Sequence, residues 1–333
     1  MTHVQGIKRA AAYCRTSPRT LSTAAAYISD YPRSRSYTNE NSIYSMEIED
    51  VDGYFRNVNY LDTGGDLEPL IILGGTAQTI NTWRPHIRPL MSKNRVIMPE
   101  LRCQGIDTDL LTHRATIKQH LLDIEIIMEN LGVDQAHFLG FSFGGRIAVA
   151  LAAHRPKYVK KLSITAVPLH RNLLGVAVLR SWKEGLLAGN LRECAWSFLL
   201  NGYSEAFLER NFQRLPQYVD AICESNCARR LYDLINSCHM DEDIDDKYSV
   251  AKCIPKIKCA VQVIASSTDR IASLQSVKDL YHAILDSCDE AMTEEIRTAK
   301  THSVLDIIEN SGHLIPFEQP VRWRKHVMEF LNN

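Results

Sequence analysis

One serine in the chain is flanked by glycines, in the run Gly140-Phe141-Ser142-Phe143-Gly144-Gly145. A short apolar run, residues 136–139, comes directly before it, and an alanine-rich run, residues 146–153, comes directly after it. The first pattern favours a buried strand and the second favours a helix. A serine in a sharp turn between a strand and a helix presents its hydroxyl clear of the sheet, beside the positive end of the helix. We therefore interpret Ser142 as a candidate nucleophile.

A nucleophilic serine needs a base to take its proton, because a hydroxyl barely ionises at neutral pH. The best placed histidine is His313, which lies in the loop directly after the last predicted strand, 304–308. An acid must then orient this histidine and stabilise its protonated form. Asp269 suits this role because it follows another predicted strand, 260–265. We therefore predict a catalytic set of Ser142, Asp269 and His313.

The charge that develops on a substrate carbonyl oxygen needs two hydrogen-bond donors, which form an oxyanion hole. The backbone amide of Phe143, directly after the candidate nucleophile, is expected to be one donor. The other is expected from the loop after the predicted strand 69–73, which reads Gly74-Gly75-Thr76-Ala77. We predict the amide of Thr76 as the second donor. The alternative is that the glycine pair forms a turn and nothing more.

Short apolar runs alternate with helical patterns along most of the chain. The predicted strands lie at 45–49, 54–60, 69–73, 95–99, 136–139, 159–165, 260–265 and 304–308. The first two alternate in polarity around Asp52-Gly53, which is typical of a hairpin turn. Most of the others have the continuous apolar character of strands that are buried on both faces. The pattern predicts an α/β fold with a mostly parallel central sheet, helices on both faces and a site at the carboxyl ends of the strands.

The stretch from about 168 to 252 interrupts this alternation between two predicted strands. Its pattern is helical throughout. It carries many aromatic side chains, at Trp182, Trp196, Phe198, Tyr203, Phe207, Phe212 and Tyr218. We interpret this stretch as a helical cap over the site, which predicts a small-molecule substrate with a substantial apolar part. The alternative is a set of additional packing helices without a role in substrate binding.

The composition of the 333 residues excludes several classes of function. The net charge of −1 gives no reason to expect a nucleic acid partner. No apolar run approaches the length of a membrane span. The nine cysteines contain no paired C-x-x-C motif, so no metal and no cofactor is expected. Scattered cysteines indicate free thiols in a reducing, intracellular compartment. The sequence leaves the oligomeric state open.

Residues 1–40 differ in character from the remaining chain, 41–333, which carries the predicted fold. Up to about Ser36 this extension has one acid, Asp30, and is rich in serine, threonine and alanine. Its basic residues are Lys8, Arg9, Arg15, Arg19, Arg33 and Arg35. This composition suits an organelle transit peptide, and it suits a disordered basic tail equally well. The expected location is therefore the cytoplasm, or a mitochondrion or plastid if the extension is a transit peptide.

From about Ser45 to its C-terminus the chain resembles the α/β-hydrolase superfamily, in the group that includes esterases, enol-lactonases and carbon–carbon bond hydrolases. Four segments carry the resemblance, in the family's order, and they are Leu73–Thr76 with Trp83, Val96–Gly105, Ser266–Ala272 and Gly312–Pro320. The chain order of serine, acid and histidine is also that of the family. The resemblance implies the α/β-hydrolase fold and a Ser-His-Asp triad.

The chain departs from the family pattern at three places. Gly74 stands where the family has a histidine that helps to fix the oxyanion loop. Glu100 and Cys103 replace an aspartate and a glycine, and Ser266 replaces a glycine near the acid. None of these changes removes a catalytic group, so the resemblance implies a working enzyme.

The leading expectation is a serine hydrolase that cleaves a small carboxylic ester, thioester or lactone through an acyl-enzyme. Two alternatives stay open. Gly144-Gly145-Arg146 resembles the corresponding turn of the menaquinone-pathway lyases, which use the same triad for carbon–carbon cleavage or elimination. The superfamily also contains non-catalytic small-molecule receptors. Epoxide and haloalkane hydrolases are disfavoured because both carry an aspartate in place of Ser142.

Overall fold

The structure is a computed structural model that describes residues 43–49, 55–106, 115–238, 247–288 and 292–333. The predicted N-terminal extension and the predicted turn at Asp52-Gly53 lie outside these ranges. All statements below concern the described part of the chain.

Eight strands form a single sheet. They are β1 Ile43–Glu49, β2 Phe55–Asp62, β3 Pro69–Leu73, β4 Arg95–Pro99, β5 Ala136–Phe141, β6 Val159–Thr165, β7 Ala260–Ser266 and β8 Val304–Ile308. Their order across the sheet is β1-β2-β4-β3-β5-β6-β7-β8. The strands β1 and β2 form an antiparallel hairpin, β2 also pairs antiparallel with β4, and every other pairing is parallel. The predicted mostly parallel sheet is therefore confirmed.

The helices follow the strands along the chain. They are α1 Ile80–Met91, α2 Ile117–Asn130, α3 Phe143–His154, α4 Leu173–Leu187, α5 Leu191–Gly202, α6 Glu205–Arg210, α7 Leu215–Ser225, α8 Ala228–Cys238, α9 Val250–Cys253, α10 Leu274–Asp286, α11 Glu294–Thr301, α12 Ile315–Glu318 and α13 Pro320–Asn332. The helices α1, α2, α3, α10 and α11 alternate with strands, as the sequence predicts for an α/β fold.

The strand β3 shows why helices must cover both faces of the sheet. Successive side chains of a strand point to opposite faces, and all of Leu70, Ile71, Ile72 and Leu73 are almost completely buried. Ile71 and Leu73 belong to the apolar cluster that includes α2, α3 and α10. Leu70 and Ile72 belong to the second cluster, which includes α1 and α13. Two helical layers therefore enclose the sheet, as expected for parallel strands.

The helix α2 has start and stop signals that can be read in the sequence. The Thr116 hydroxyl accepts a hydrogen bond from the Gln119 amide, and the Gln119 side chain accepts one from the Thr116 amide. These reciprocal bonds satisfy two amides that the helix itself leaves without partners. The helix ends before Gly132, which has a φ of 63°. A left-handed conformation of this kind stops a helix and favours glycine.

The chain between β6 and β7 forms the helices α4 to α9. Part of this segment builds a small apolar cluster of its own, around Leu199, Leu215 and Val219. Other side chains, among them Trp182 and Phe198, line a cavity that also contains Ser142. Side chains of α4, α5 and α7 therefore face the cavity beside Ser142.

Candidate active site

Ser142 lies in the sharp turn between β5 and α3. Its backbone has a φ of 51° and a ψ of −113°, an uncommon conformation for a residue with a side chain. Its amide donates to the Thr165 carbonyl at 2.9 Å, and its own carbonyl accepts from the Arg146 amide at 3.1 Å. These bonds to the neighbouring strand and to the helix hold the strained turn in place.

Two glycines allow the strand and the helix to approach each other around this serine. A β-carbon on Gly140 would lie 2.5 Å from the α-carbon of Gly145. A β-carbon on Gly144 would overlap the carbonyl oxygen of Leu73 in the adjacent strand β3. Both obstacles are backbone atoms, which cannot rotate away as a side chain can. Any larger residue at these positions would push α3 off the sheet and displace Ser142.

The structure brings the three predicted catalytic residues together. The Nε2 atom of His313 lies 2.8 Å from Ser142 Oγ, and its Nδ1 atom lies 2.8 Å from Asp269 Oδ2. With the proton on Nδ1, His313 donates to Asp269 and accepts from the Ser142 hydroxyl. The side chains of His313 and Asp269 are both buried, so water competes little for these bonds. The arrangement can take a proton from the serine and stabilise the resulting imidazolium.

The second oxygen of Asp269 fixes the direction of its carboxylate. Oδ1 accepts hydrogen bonds from the amides of Ile271 at 2.7 Å and Ala272 at 2.8 Å. Asp269 therefore serves as a turn aspartate through Oδ1 and faces His313 through Oδ2. The turn therefore orients the carboxylate, and Oδ2 is left to face His313.

Glu318 holds the loop that carries His313 against the helices over the site. One of its oxygens, Oε2, accepts from the amides of Gly312 and Ser204, both at 3.0 Å. The other oxygen, Oε1, accepts a short hydrogen bond from the Ser204 hydroxyl. Next to these bonds, the Leu314 amide donates to the Gly202 carbonyl at 2.9 Å. In the sequence, Glu318 is only one residue of the segment that resembles the family's histidine segment. Its role in holding the His313 loop was therefore not predicted.

The loop after β3 is fixed by the side chain of Gln78. Its Oε1 atom accepts from the Gly75 amide at 2.7 Å and from Trp83 Nε1 at 3.0 Å. Because the Gly75 amide is turned towards Gln78, it is not available as an oxyanion donor. Thr76 and Phe143, the two residues predicted to supply those amides, both line the cavity beside Ser142. Gln78 thus fixes this loop in a chain that has Gly74 where the family has a histidine.

Two further amide side chains connect this loop to its surroundings. Gln104 Oε1 accepts from the Gln78 amide at 3.0 Å. Asn226, which follows α7, donates from Nδ2 to the Ala77 carbonyl at 3.2 Å and accepts from the Gly105 amide at 3.4 Å. Single glutamines and asparagines form no motif, so nothing in the sequence pointed to them.

The replacements at Glu100 and Cys103 both fit the structure locally. Glu100 Oε2 accepts from the Ile80 amide at 3.3 Å, at the positive end of α1. Burial raises the pKa of Glu100 to about 7, although this amide and the charge of Arg230 oppose the shift. Cys103 has a φ of 60°, a conformation that suits the family's glycine. Burial also raises the pKa of the Cys103 thiol to about 11, which keeps it protonated and unreactive.

Ser142 opens into a cavity of about 340 Å³ between the sheet and the helices α4, α5 and α7. The cavity is lined largely by apolar side chains, including Phe141, Leu179, Trp182, Phe198, Leu314 and Phe317. Two arginines, Arg146 and Arg171, also contribute to the lining. Arg146 is buried and donates from Nη1 to the Cys238 carbonyl at 2.8 Å. A lining of this kind suits a small, mainly apolar ligand with a few polar groups.

Within the described ranges, no helix is both long and apolar enough to cross a bilayer. The same part of the chain contains no cluster of three or more histidine, cysteine, aspartate or glutamate side chains arranged to hold a metal ion.

Comparison with known proteins agrees with this fold. Residues 68–195, which include β3, β5 and the Ser142 turn, match the family model described as alpha/beta hydrolase fold. The chain has the α/β-hydrolase fold. The resemblance and the fold that the sequence predicted are thereby confirmed.

Two curated relatives match this α/β-hydrolase over most of its length. One is named "Putative carbamate hydrolase RutD" from Caulobacter sp. (strain K31), which is 24% identical over 299 residues, covering 86% of this chain and 98% of the relative. Another, from Bacillus subtilis (strain 168), is named "Putative 2-succinyl-6-hydroxy-2,4-cyclohexadiene-1-carboxylate synthase". It is 23% identical over 276 residues, covering 80% of this chain and 91% of the relative. With the family model, these matches confirm the expectation of an enzyme, a hydrolase of this fold.

Solved structures show the same fold. The enol-lactonase from Burkholderia xenovorans LB400 superposes with a TM-score of 0.69, covering 86% of this chain and 100% of that chain. Its sequence identity is 18%, so the likeness concerns the fold and leaves the substrate of this α/β-hydrolase open.

Proposed function

We propose that this α/β-hydrolase is a serine hydrolase that cleaves a small carboxylic ester, thioester or lactone with an apolar part. The observation that carries the proposal is the hydrogen-bonded series from Ser142 through His313 to Asp269, with 2.8 Å at each contact, at the base of an apolar cavity. A nucleophile, a base and an orienting acid in this geometry are what acyl transfer requires.

In the proposed first step, Ser142 Oγ attacks the substrate carbonyl carbon while His313 Nε2 takes the serine proton. Asp269 stabilises the imidazolium that forms and keeps its ring in place. The negative charge on the substrate oxygen is bound by the amides of Thr76 and Phe143. His313 then gives its proton to the leaving oxygen or sulfur, and the acyl group stays on Ser142.

In the second step, water enters the site of the departed group. His313 takes a proton from this water, and the resulting hydroxide attacks the acyl carbon through the same oxyanion contacts. Collapse of this intermediate breaks the bond to Ser142 Oγ, which recovers its proton from His313. The free carboxylic acid leaves and the enzyme returns to its starting state.

The cavity supports a small substrate that is largely apolar. A volume of about 340 Å³ is at the small end of the range for ligand pockets, and the walls supplied by α4, α5 and α7 are mainly aromatic and aliphatic. We propose that the helices between β6 and β7 act as the cap that selects the substrate.

A fluorophosphonate probe together with a series of acyl esters tests the proposal. The probe forms a covalent bond only with an activated serine, so labelling of Ser142 in folded protein is expected. Hydrolysis should rise with acyl length until the cavity is filled and then fall. Absence of labelling would exclude the serine hydrolase, whereas labelling without turnover of any ester would favour a small-molecule receptor.

Arg146 favours a second candidate, a carbon–carbon hydrolase or lyase with the same triad. It lies one turn after Ser142 on α3, and it is buried against the cavity instead of lying on a helix surface. The relative from Bacillus subtilis named as a synthase matches the chain over this region. Turnover of a diketone series without turnover of any ester would support this candidate over the ester hydrolase.

Replacing Asp269 by asparagine is expected to lower kcat by about 10³- to 10⁴-fold. The asparagine oxygen would keep the bonds to the Ile271 and Ala272 amides, so its amino group would face His313 Nδ1. That group donates, which forces the proton onto Nε2 and leaves no acceptor for the Ser142 hydroxyl. Steady-state kinetics on the preferred ester measure the effect. Full activity would mean that another acid orients His313.

Replacing Glu318 by alanine is expected to lower kcat by about 10- to 100-fold with little change in KM, because the His313 loop loses its contact with Ser204. The matched control is Glu318→Gln, whose oxygen can accept from both amides while its amino group bonds the Ser204 hydroxyl. This variant should keep kcat within about threefold of the wild type. Equal losses of kcat in both variants would mean that the negative charge of Glu318 is what matters. A wild-type kcat in the alanine variant would show that other contacts hold the loop.

A further inference from the structure

Two phenol side chains stand out on the wall of the cavity. Tyr203 directly follows α5 and Tyr218 lies on α7, and both line the cavity that contains Ser142. Both rings pack on the small apolar cluster around Leu199 and Val219. Burial and, to a smaller extent, the electrostatic interaction with Tyr218 raise the pKa of Tyr203.

Neither hydroxyl has a hydrogen-bond partner among the residues that the structure describes. Other phenols of the chain do, since Tyr158 donates to Glu129 at 3.0 Å and Tyr281 donates to the Ser303 carbonyl at 3.4 Å. Burial raises the pKa of Tyr203, so its hydroxyl stays protonated at neutral pH and can donate. A phenol in an apolar wall ordinarily finds a polar partner, and here the cavity is where that partner can lie.

The phenol of Tyr203 is held in a fixed position relative to the catalytic histidine. Its ring stacks on Phe207 with 4.0 Å between ring centroids and 11° between the planes. Its two neighbours in the chain, Gly202 and Ser204, are bonded to Leu314 and Glu318 of the His313 loop. A fixed donor can discriminate between ligands because little conformational freedom is lost when a ligand binds.

The polar side chains that line the cavity indicate which ligand groups the cavity can bind. Among the described residues that line it there is no aspartate and no glutamate, while Arg146 and Arg171 supply donors. The phenols can donate as well. A ligand group that accepts hydrogen bonds, as ketone, ester and carboxylate oxygens do, therefore suits this wall.

We propose that Tyr203 and Tyr218 bind an acceptor oxygen of the substrate, remote from the carbonyl that Ser142 attacks. The substrate is then an ester or lactone whose apolar body carries a second oxygen function. This inference rests on the proposed serine hydrolase and specifies its substrate class.

Matched pairs of esters with and without a ketone test the proposal. One set carries the ketone at successive positions along the acyl chain, a second set carries it in the alcohol part, and a third carries a carboxylate in its place. The released acid is followed for every ester. The wild type should favour at least one oxygenated ester over its plain counterpart. In Tyr203→Phe and Tyr218→Phe this preference should fall by about 2- to 12-fold each.

Tyr281→Phe is the matched control, because it removes a phenol that donates to a backbone carbonyl outside the cavity. It should leave the preference unaltered. The proposal is overturned if the wild type prefers no oxygenated ester, or if both cavity variants keep the wild-type preference. If the wild type prefers only the carboxylate esters and the tyrosine variants keep that preference, the arginines recognise the substrate. That result would also overturn the proposal. Failure of every ester to react would instead contradict the serine hydrolase itself.

Discussion

Replacing Ser142 by alanine is expected to reduce kcat/KM by about 10⁴- to 10⁶-fold and to abolish labelling by a fluorophosphonate. The variant loses the hydroxyl that lies 2.8 Å from His313 Nε2, so no acyl-enzyme can form. The effect on kcat should account for nearly all of the loss, because the walls of the cavity stay in place. Steady-state kinetics and mass spectrometry of the labelled protein measure both outcomes.

The control for this variant is Ser181→Ala. Ser181 lies exposed on α4, where its hydroxyl donates to the Val178 carbonyl and is not part of the cavity wall. It should keep wild-type turnover and labelling. If Ser142→Ala retained substantial activity while its fold was intact, a different nucleophile would have to be sought and the proposed mechanism would be wrong.

Replacing His313 by alanine is expected to cause a loss of similar size, about 10⁴- to 10⁶-fold in kcat. Without the imidazole no group accepts the Ser142 proton, and Asp269 is left buried with no partner for Oδ2. The double variant with Ser142→Ala should be no worse than either single variant, because residues that act as one unit do not contribute additively. Kinetics of the two single variants and the double variant measure this coupling.

His282→Ala serves as the control for that experiment. His282 lies exposed on α10, so its loss should leave turnover unchanged. Additive losses in the double variant would show that Ser142 and His313 act independently. Such a result would contradict the hydrogen-bonded series on which the proposed function depends.

Most of the fold could be predicted because its signals are local. The runs at 69–73 and 159–165 coincide with β3 and β6, since an apolar strand of a parallel sheet is recognisable by its own residues. The end of α2 before Gly132 can also be predicted from the sequence, because a single glycine that favours a left-handed backbone is enough to stop a helix. The predicted catalytic residues come together for a related reason. Loops at the carboxyl ends of neighbouring parallel strands must meet at one edge of the sheet.

The supporting contacts could not be predicted in this way. Glu318 and Ser204 are 114 residues apart in the chain, and Asn226 and Ala77 are 149 residues apart. Hydrogen bonds of this range depend on how the helices between β6 and β7 pack against the sheet, which no local pattern encodes. Arg146 could not be predicted as buried for the same reason. An arginine on a helix is usually exposed, and this one is buried because its guanidinium donates to the Cys238 carbonyl of α8.

By itself, the sequence determined the class of fold, the chain order of serine, acid and histidine, and the position of the candidate nucleophile in a strand–helix turn. Each of these follows from residue types over a few positions and from the geometry of parallel sheets. Only the tertiary structure decided the shape of the cavity, the fixing of the loop after β3 by Gln78 and the presence of both Tyr203 and Tyr218 on the cavity wall. The physical reason is that side-chain packing between distant segments sets these features, and packing depends on the whole fold at once.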